Sequence, residues 1–266
     1  MPVQGQPINS QQTDGNSAQF QRRWEAGFAW TSACGAMLAL PGLRGFWPMS
    51  AFDGGGGAND YSGQARTLTY NGNPTYNYSG LAPYIDLDGT GDYLSRVDEV
   101  GTSIVGTETY VAAGIRGLTI GGWFNLDSVA LGPALIGKWG VTAASGAYMI
   151  FLVANNTLQF LIEDAAGATD GVNATVQTSL WYHIVGRYIP SLQIDIWVDG
   201  IATINAVGIP AALRDNAIDF RIGAYGAPVG NYMDGRASMC FLCTTALSDA
   251  HIMALYHKTK ALYGVK

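Results

Sequence analysis

The sequence predicts an all-β fold, a sandwich of two antiparallel sheets with an N-terminal arm and a short C-terminal helix. Three observations carry this. Short runs of β-branched and aromatic residues recur along the chain between turn signals. Glycine is abundant, with 35 residues in 266, roughly twice the usual share, which suits many tight turns. One stretch, residues 178–206, reads without ambiguity as a three-strand meander.

Within that meander Leu192, Ile194, Ile196 and Val198 alternate with Gln193, Asp195, Trp197 and Asp199. A period of two marks a strand with one buried face. Asp199-Gly200 then supplies the positive φ angles of a type I′ hairpin turn before Ile201–Ile204. Upstream, Leu180–Tyr188 is apolar on both faces, as a central strand should be, and Pro190 separates it from the next strand.

Composition narrows the function classes. Charged residues make up 13% of the chain and the net charge is −6. No basic face is available to neutralise phosphates, which argues against nucleic acid as a partner. Residues 26–43 are apolar but short, and they contain Thr31, Ser32, Gly35 and Pro41, so no membrane span is expected. No positive segment leads directly into an apolar run at the N-terminus, and no signal peptide is recognised. The cysteines are Cys34, Cys240 and Cys243. Cys240 and Cys243 have metal or redox spacing, but on a strand residues three apart face opposite ways, so two inert thiols are expected.

Taken in order, residues 1–23 are polar and poor in apolar side chains, matching a disordered tail or an arm that orders on a partner. Trp24, Phe28, Trp30, Met37 and Leu38 suggest a short helix over 24–40, ended by Pro41-Gly42. The domain boundary is placed there: an arm or assembly segment over 1–42 and a β domain over 43–266. Strands are predicted at 43–48 and 67–70, flanking the glycine-rich loop 53–60. That loop lacks the following helix that a phosphate cradle requires. Asp86, Asp88 and Asp92 resemble a calcium loop, but Val97 stands where its bidentate Glu belongs, so strand–turn–strand is the plainer reading of 84–95. Further strands are expected at 118–125, 134–139, 148–153, 158–162, 218–223 and 239–243, with Asn155-Asn156 as a second hairpin turn. Residues 248–264 read as one amphipathic helix, capped by Ser248 and stopped by Gly264.

Eight short motifs then occur in a telling order: Gly45-Phe46-Trp47-Pro48-Met49, Asp60-Tyr61-Ser62-Gly63, Leu87 to Leu94, Leu118 to Phe124, Leu180 to Ile184, Ile196 to Gly200, Phe220 to Gly223 and Ala246 to Asp249. Together they resemble the laminin-G-like, concanavalin A-like jelly-roll family over residues 43–264. The resemblance implies two stacked sheets of about six or seven strands each. It also implies a module that binds glycans or proteins, often with a calcium ion. Relatives carry Asp where this chain has Ser238, which weakens the case for calcium; Asp53 and Asp60 are left as candidate ligands, too few alone for its oxygen shell.

Some members of this architecture are glycoside hydrolases with paired carboxylates on one strand. Here most acidic residues fall at turns, and Asp195 reads as part of a solvated strand face. His183 has no recognisable Ser or Cys partner and is expected to pack beside Trp181 and Tyr182. No catalytic residues are assigned. For a ligand site the loop 223–234 offers Tyr225, Asn231, Tyr232 and Asp234, with Trp139 as a further ring: aromatic faces for sugar rings, amide and carboxylate for hydroxyls. An arm joined to a jelly roll is also similar to bacteriophage decoration or tail-associated virion proteins. That likeness implies a virion-surface or extracellular location, an oligomeric assembly joined through residues 1–42, and a cell-surface glycan as a further partner. The alternative is a secreted carbohydrate-binding module or a glycoside hydrolase of the same fold.

Overall fold

Asp199 and Gly200 both adopt left-handed backbone, at φ 51° and 80°, so the Asp-Gly pair closes the hairpin that its chemistry predicts. The computed structural model describes residues 29–49, 56–79, 82–98, 117–130, 132–142, 145–226 and 229–266. A helix, α1, covers 29–38; the rest of the predicted 24–40 helix lies partly outside the described residues. The strands are β1 (Leu43–Trp47), β2 (Gly57–Ala58), β3 (Leu68–Asn71), β4 (Thr75–Ser79), β5 (Ala82–Asp88), β6 (Tyr93–Arg96), β7 (Leu118–Leu126) and β8 (Ala134–Trp139). They continue as β9 (Gly146–Ala154), β10 (Thr157–Glu163), β11 (Thr169–Thr175), β12 (Trp181–Ile189), β13 (Gln193–Val198), β14 (Ile201–Asn205), β15 (Phe220–Ile222) and β16 (Asp234–Cys243). Helix α2 (Asp249–Thr259) runs into a 3₁₀ turn over Lys260–Tyr263.

The strands form two antiparallel sheets. The first has the order β14-β13-β12-β7-β16-β5-β4, with β1 also paired to β16; the second is β11-β10-β9-β8-β15-β6-β3-β2. Among the described residues each sheet has eight strands, more than the six or seven expected, because short edge strands such as β2 carry too little apolar pattern to be read from sequence. The Asp88–Asp92 turn carries the chain from β5 in the first sheet to β6 in the second.

Alternation fills the space between the sheets. Ile120, Phe124, Ile150, Phe160, Ile194 and Leu242 are all buried in that common core. A second apolar cluster lies on the far side of the first sheet, where Met37 of α1 and Ile252, Leu255 and Tyr256 of α2 cover Trp123, Trp197 and Phe241. The helices therefore cap a face that would otherwise expose several large side chains, each contributing about 1.5–3 kcal/mol when buried.

Strand β16 serves both clusters. Cys240 and Leu242 face the inter-sheet core, whereas Phe241 and Cys243 face the helices. The two cysteines thus point opposite ways, and burial pushes both thiols well up. A bulge between Ser238 and Phe241, with Met239 at φ 46°, turns both Ser238 and Met239 towards the helix side. The Ser238 hydroxyl donates to Pro83 O at 2.6 Å and lies 2.6 Å from the Tyr263 hydroxyl.

Asp195 corrects the sequence reading. It is fully buried rather than solvated, and its carboxylate accepts from Arg187 Nε and Nη2 and from Trp197 Nε1 at 2.7–3.0 Å. Arg187 Nη1 reaches on to Leu247 O and Asp249, both at 2.7 Å. A charge on an apolar strand is buried here because its counter-ion is one strand away, at the register position Arg187–Asp195. His183 is also buried, but against Trp123 and Tyr256 rather than Trp181 and Tyr182.

Candidate functional site

Two surface regions gather the chemistry-bearing side chains. The first lies on the outer face of the second sheet. In β9 the residues Tyr148, Ile150 and Leu152 point to the core. Met149, Phe151 and Val153 therefore point outwards, where they join Ala134, Leu161, Trp139 and Tyr225 in a separate apolar cluster. Phe151 and Tyr225 meet edge to face at 6.4 Å. The Trp139 indole lies against Gly146, where a Cβ would stand 2.5 Å from ring carbons. Gly226 N donates to Trp139 O at 3.0 Å, and Tyr225 pairs with Gly230 across a small loop. Trp139 and Tyr225 are both part-exposed and pack against the same buried cluster, and the Gly226–Trp139 backbone bond ties the segments that carry them.

The second region is an open depression of about 410 Å³ at one end of the sandwich, lined by Asn73, Thr75, Asp86, Asp88, Asp92, Asp127 and Asp234. Arg236 is the cation bound to it, pairing with Asp127 at 3.0 Å and Asp86 at 3.5 Å. The carboxylates are not equivalent. Asp88 accepts from the amides of Thr90, Gly91 and Asp92 and from the Thr90 hydroxyl. That turn, the hydroxyl above all, lowers its pKa. Burial and neighbouring carboxylates instead raise those of Asp86 and Asp234. Tyr232 stands beside Tyr93 at 6.0 Å, and its hydroxyl donates to Val229 O.

The structure therefore divides the sequence-predicted ligand residues. Trp139 and Tyr225 come together. Tyr232 joins Tyr93, and Asp234 joins the acidic depression. Asn231, at φ 53°, accepts the Ala134 amide through its carbonyl and aims its side chain at Gly132. Phe151 and Gly146 escaped the sequence reading. The signal was present as the outward half of the β9 alternation, but nothing in the sequence says which side chains pack over Met149 and Phe151 on that face.

Of the metal candidates, Asp53 lies outside the described residues. Asp60 turns both carboxylate oxygens to its own loop, accepting from the amides of Phe46, Ser62 and Arg66 and from the Ser62 hydroxyl at 2.8–3.0 Å. Among the described residues no group of three His, Cys, Asp or Glu side chains is placed to hold a metal ion. No described helix is long and apolar enough to cross a membrane.

A family model for the concanavalin A-like lectin/glucanases superfamily matches residues 88–253. No curated protein matches the sequence. Among solved structures, the binding domain of Paraclostridial Mosquitocidal Protein 1 superposes with a TM-score of 0.65 at 12% identity, over 84% of this chain and 55% of that one. The binding domain of botulinum neurotoxin DC does so in complex with rat synaptotagmin II, with a TM-score of 0.63 at 12% identity, over 83% of this chain and 52% of that one. In complex with SialylT its TM-score is 0.61 at 12% identity, over 85% and 52%. At such identities the likeness is one of fold, and the chain spans about half the length of these structures.

Proposed function

The chain belongs to the concanavalin A-like lectin/glucanases superfamily, and from that membership we propose that it is a non-catalytic recognition module that binds glycan on the outer face of its second sheet. The observation that carries this is the Trp139–Tyr225 pair beside Phe151. Part-exposed flat rings packed on an apolar cluster offer stacking surfaces for sugar faces at little entropic cost. Asn231 and Tyr232 follow on the same loop, but their side chains turn to Gly132 and to Tyr93, so the reading rests on the rings. The neurotoxin binding domain of like fold, seen with SialylT in one structure and with synaptotagmin in another, supports a recognition role without naming the ligand here.

The test is a glycan array followed by titration calorimetry. Trp139→Ala and Tyr225→Ala are each expected to weaken binding about tenfold or more, from lost stacking of roughly 1–3 kcal/mol, while the thermal transition is kept. An array without ligands, or variants that bind like the parent, refutes the site.

One observation favours a second reading. The raised carboxyls of Asp86 and Asp234 in one depression suit a hydrolase acid. Release of reducing sugar by the parent and its loss in Asp234→Asn would replace binding with hydrolysis as the function. The biological setting that we infer is a virion or other extracellular surface, with residues 1–42 as the assembly arm. Fractionation with electron microscopy tests it: the protein is expected on particles rather than free.

A further inference from the structure

Among the described residues strand β14 is the outermost strand of the first sheet and pairs with β13 alone. An open edge is a row of unpaired donors and acceptors, which proteins usually blunt with charge, proline or a bulge. None of these stands in Ile201–Asn205, and residues 200–213 contain no Asp, Glu, Lys or Arg. The edge is also apolar. Ile201, Ile204 and Val207 are 75%, 55% and 78% exposed, and Leu192 on the adjoining turn is 58% exposed. In a chain of net charge −6 this is a neutral stretch where an identical molecule meets little like charge. Among the described residues, acidic side chains flank the stretch at Asp199 of the hairpin turn and at Asp170 of β11, near Gly208.

The hydrogen-bond parity is equally suited to a copy of itself. A two-residue turn makes Val198 and Ile201 the bonded closing pair of the hairpin. Bonds to β13 then fall on Ile201, Thr203 and Asn205, and the N–H and C=O groups of Ala202 and Ile204 point to the open side. We propose that a second copy of this chain docks here, β14 against β14, antiparallel about a two-fold axis through Thr203. Ala202 then faces Ile204 of the partner subunit, four backbone bonds form, and the first sheets of two molecules become one. This contact is independent of the glycan site.

Sedimentation of the full chain from about 1 to a few hundred micromolar is expected to show a monomer–dimer equilibrium. Ile204→Lys should weaken it about tenfold or more, since a lysine on the edge repels pairing. Thr203→Cys should form a symmetric disulfide dimer, because a directly opposed non-hydrogen-bonded pair brings its Cα atoms within about 4.5 Å; Ile201→Cys should not. The native thiols give little background, as burial pushes Cys34 up to about 11 and the other two higher. A monomer at every concentration overturns the proposal, as does a dimer unmoved by Ile204→Lys. An Ile204→Lys-sensitive dimer that Thr203→Cys fails to cross-link overturns the register. Should Ile204→Lys not fold, the paired cysteine variants decide alone.

Discussion

His183 is buried with neither ring nitrogen hydrogen-bonded among the described residues, its ring 5.3 Å from Trp123 and 6.1 Å from Tyr256. The acidic group nearest in bonding is Asp199, whose carboxylate accepts the His183 backbone amide rather than the ring. Burial lowers the imidazole from 6.5 to about 3. Above pH 6.5 folded and unfolded chains both hold it neutral. Below that, the unfolded chain takes up a proton that the folded one refuses, so stability falls as pH falls, by about 1.4 kcal/mol per unit. Burial raises the carboxyls of Asp86, Asp170, Asp199 and Asp234, which act in the opposite sense. A His183→Leu variant isolates the imidazole: between pH 6.5 and about 4.5 it should gain roughly 2–3 kcal/mol on the parent by denaturant titration. Parallel profiles would contradict the buried neutral ring. The sequence placed His183 in a strand and away from catalysis, but its neighbours depend on how a distant helix docks. Asp195 was misread for a related reason: its side of β13 is set by alternation, whereas the presence of Arg187 beside it is set by register between strands.

At the level of elements, local chemistry spoke clearly where it acts over a few residues. Asp199-Gly200 closes its hairpin, Ser248 caps α2 by accepting the His251 amide, and Gly264 ends the chain's last turn at φ 72°. What the 3.6-residue period did not reveal is that the helix changes form at Thr259. That hydroxyl donates to Leu255 O and accepts from Trp123 Nε1 at 2.8 Å. The tightened turn that follows stacks Tyr263 on Trp123 at 4.3 Å. The bulge at Ser238–Met239, which receives the Tyr263 hydroxyl, was equally invisible, since no glycine or proline marks it. Tyr263→Ala should therefore cost at least about 2 kcal/mol through the lost stack. Tyr263→Phe should cost about 1 kcal/mol, because Ser238 keeps Pro83 O as its acceptor. Equal losses in the two variants would place the stabilisation in the hydroxyl instead of the ring.

For the whole molecule, the two-layer plan was legible because apolar runs and turn residues recur along most of the strands, and errors in single strands do not change the sum. The site was less legible because it depends on which sheet face is covered. Helices α1 and α2 cover the first sheet, whereas among the described residues the second sheet has no helix over it and buries Met149 and Phe151 beneath part-exposed Trp139 and Tyr225; sequence periodicity is the same in both. That asymmetry bears on the arm. Ala33, Met37 and Leu40 are buried in the cluster with Phe46, Phe241 and Cys243, so α1 is part of the domain's cover although it lies within residues 1–42. Deleting residues 1–42 removes that cover as well as any assembly contact, whereas deleting 1–28 removes none of these three side chains. By the area they bury, the longer deletion should destabilise by about 4 kcal/mol relative to the shorter one, read as a lower denaturation midpoint. A shorter deletion that folds like the parent yet fails to join particles would assign assembly to residues 1–28. Equal stability of the two deletions would mean that α1 contributes nothing to the fold it covers.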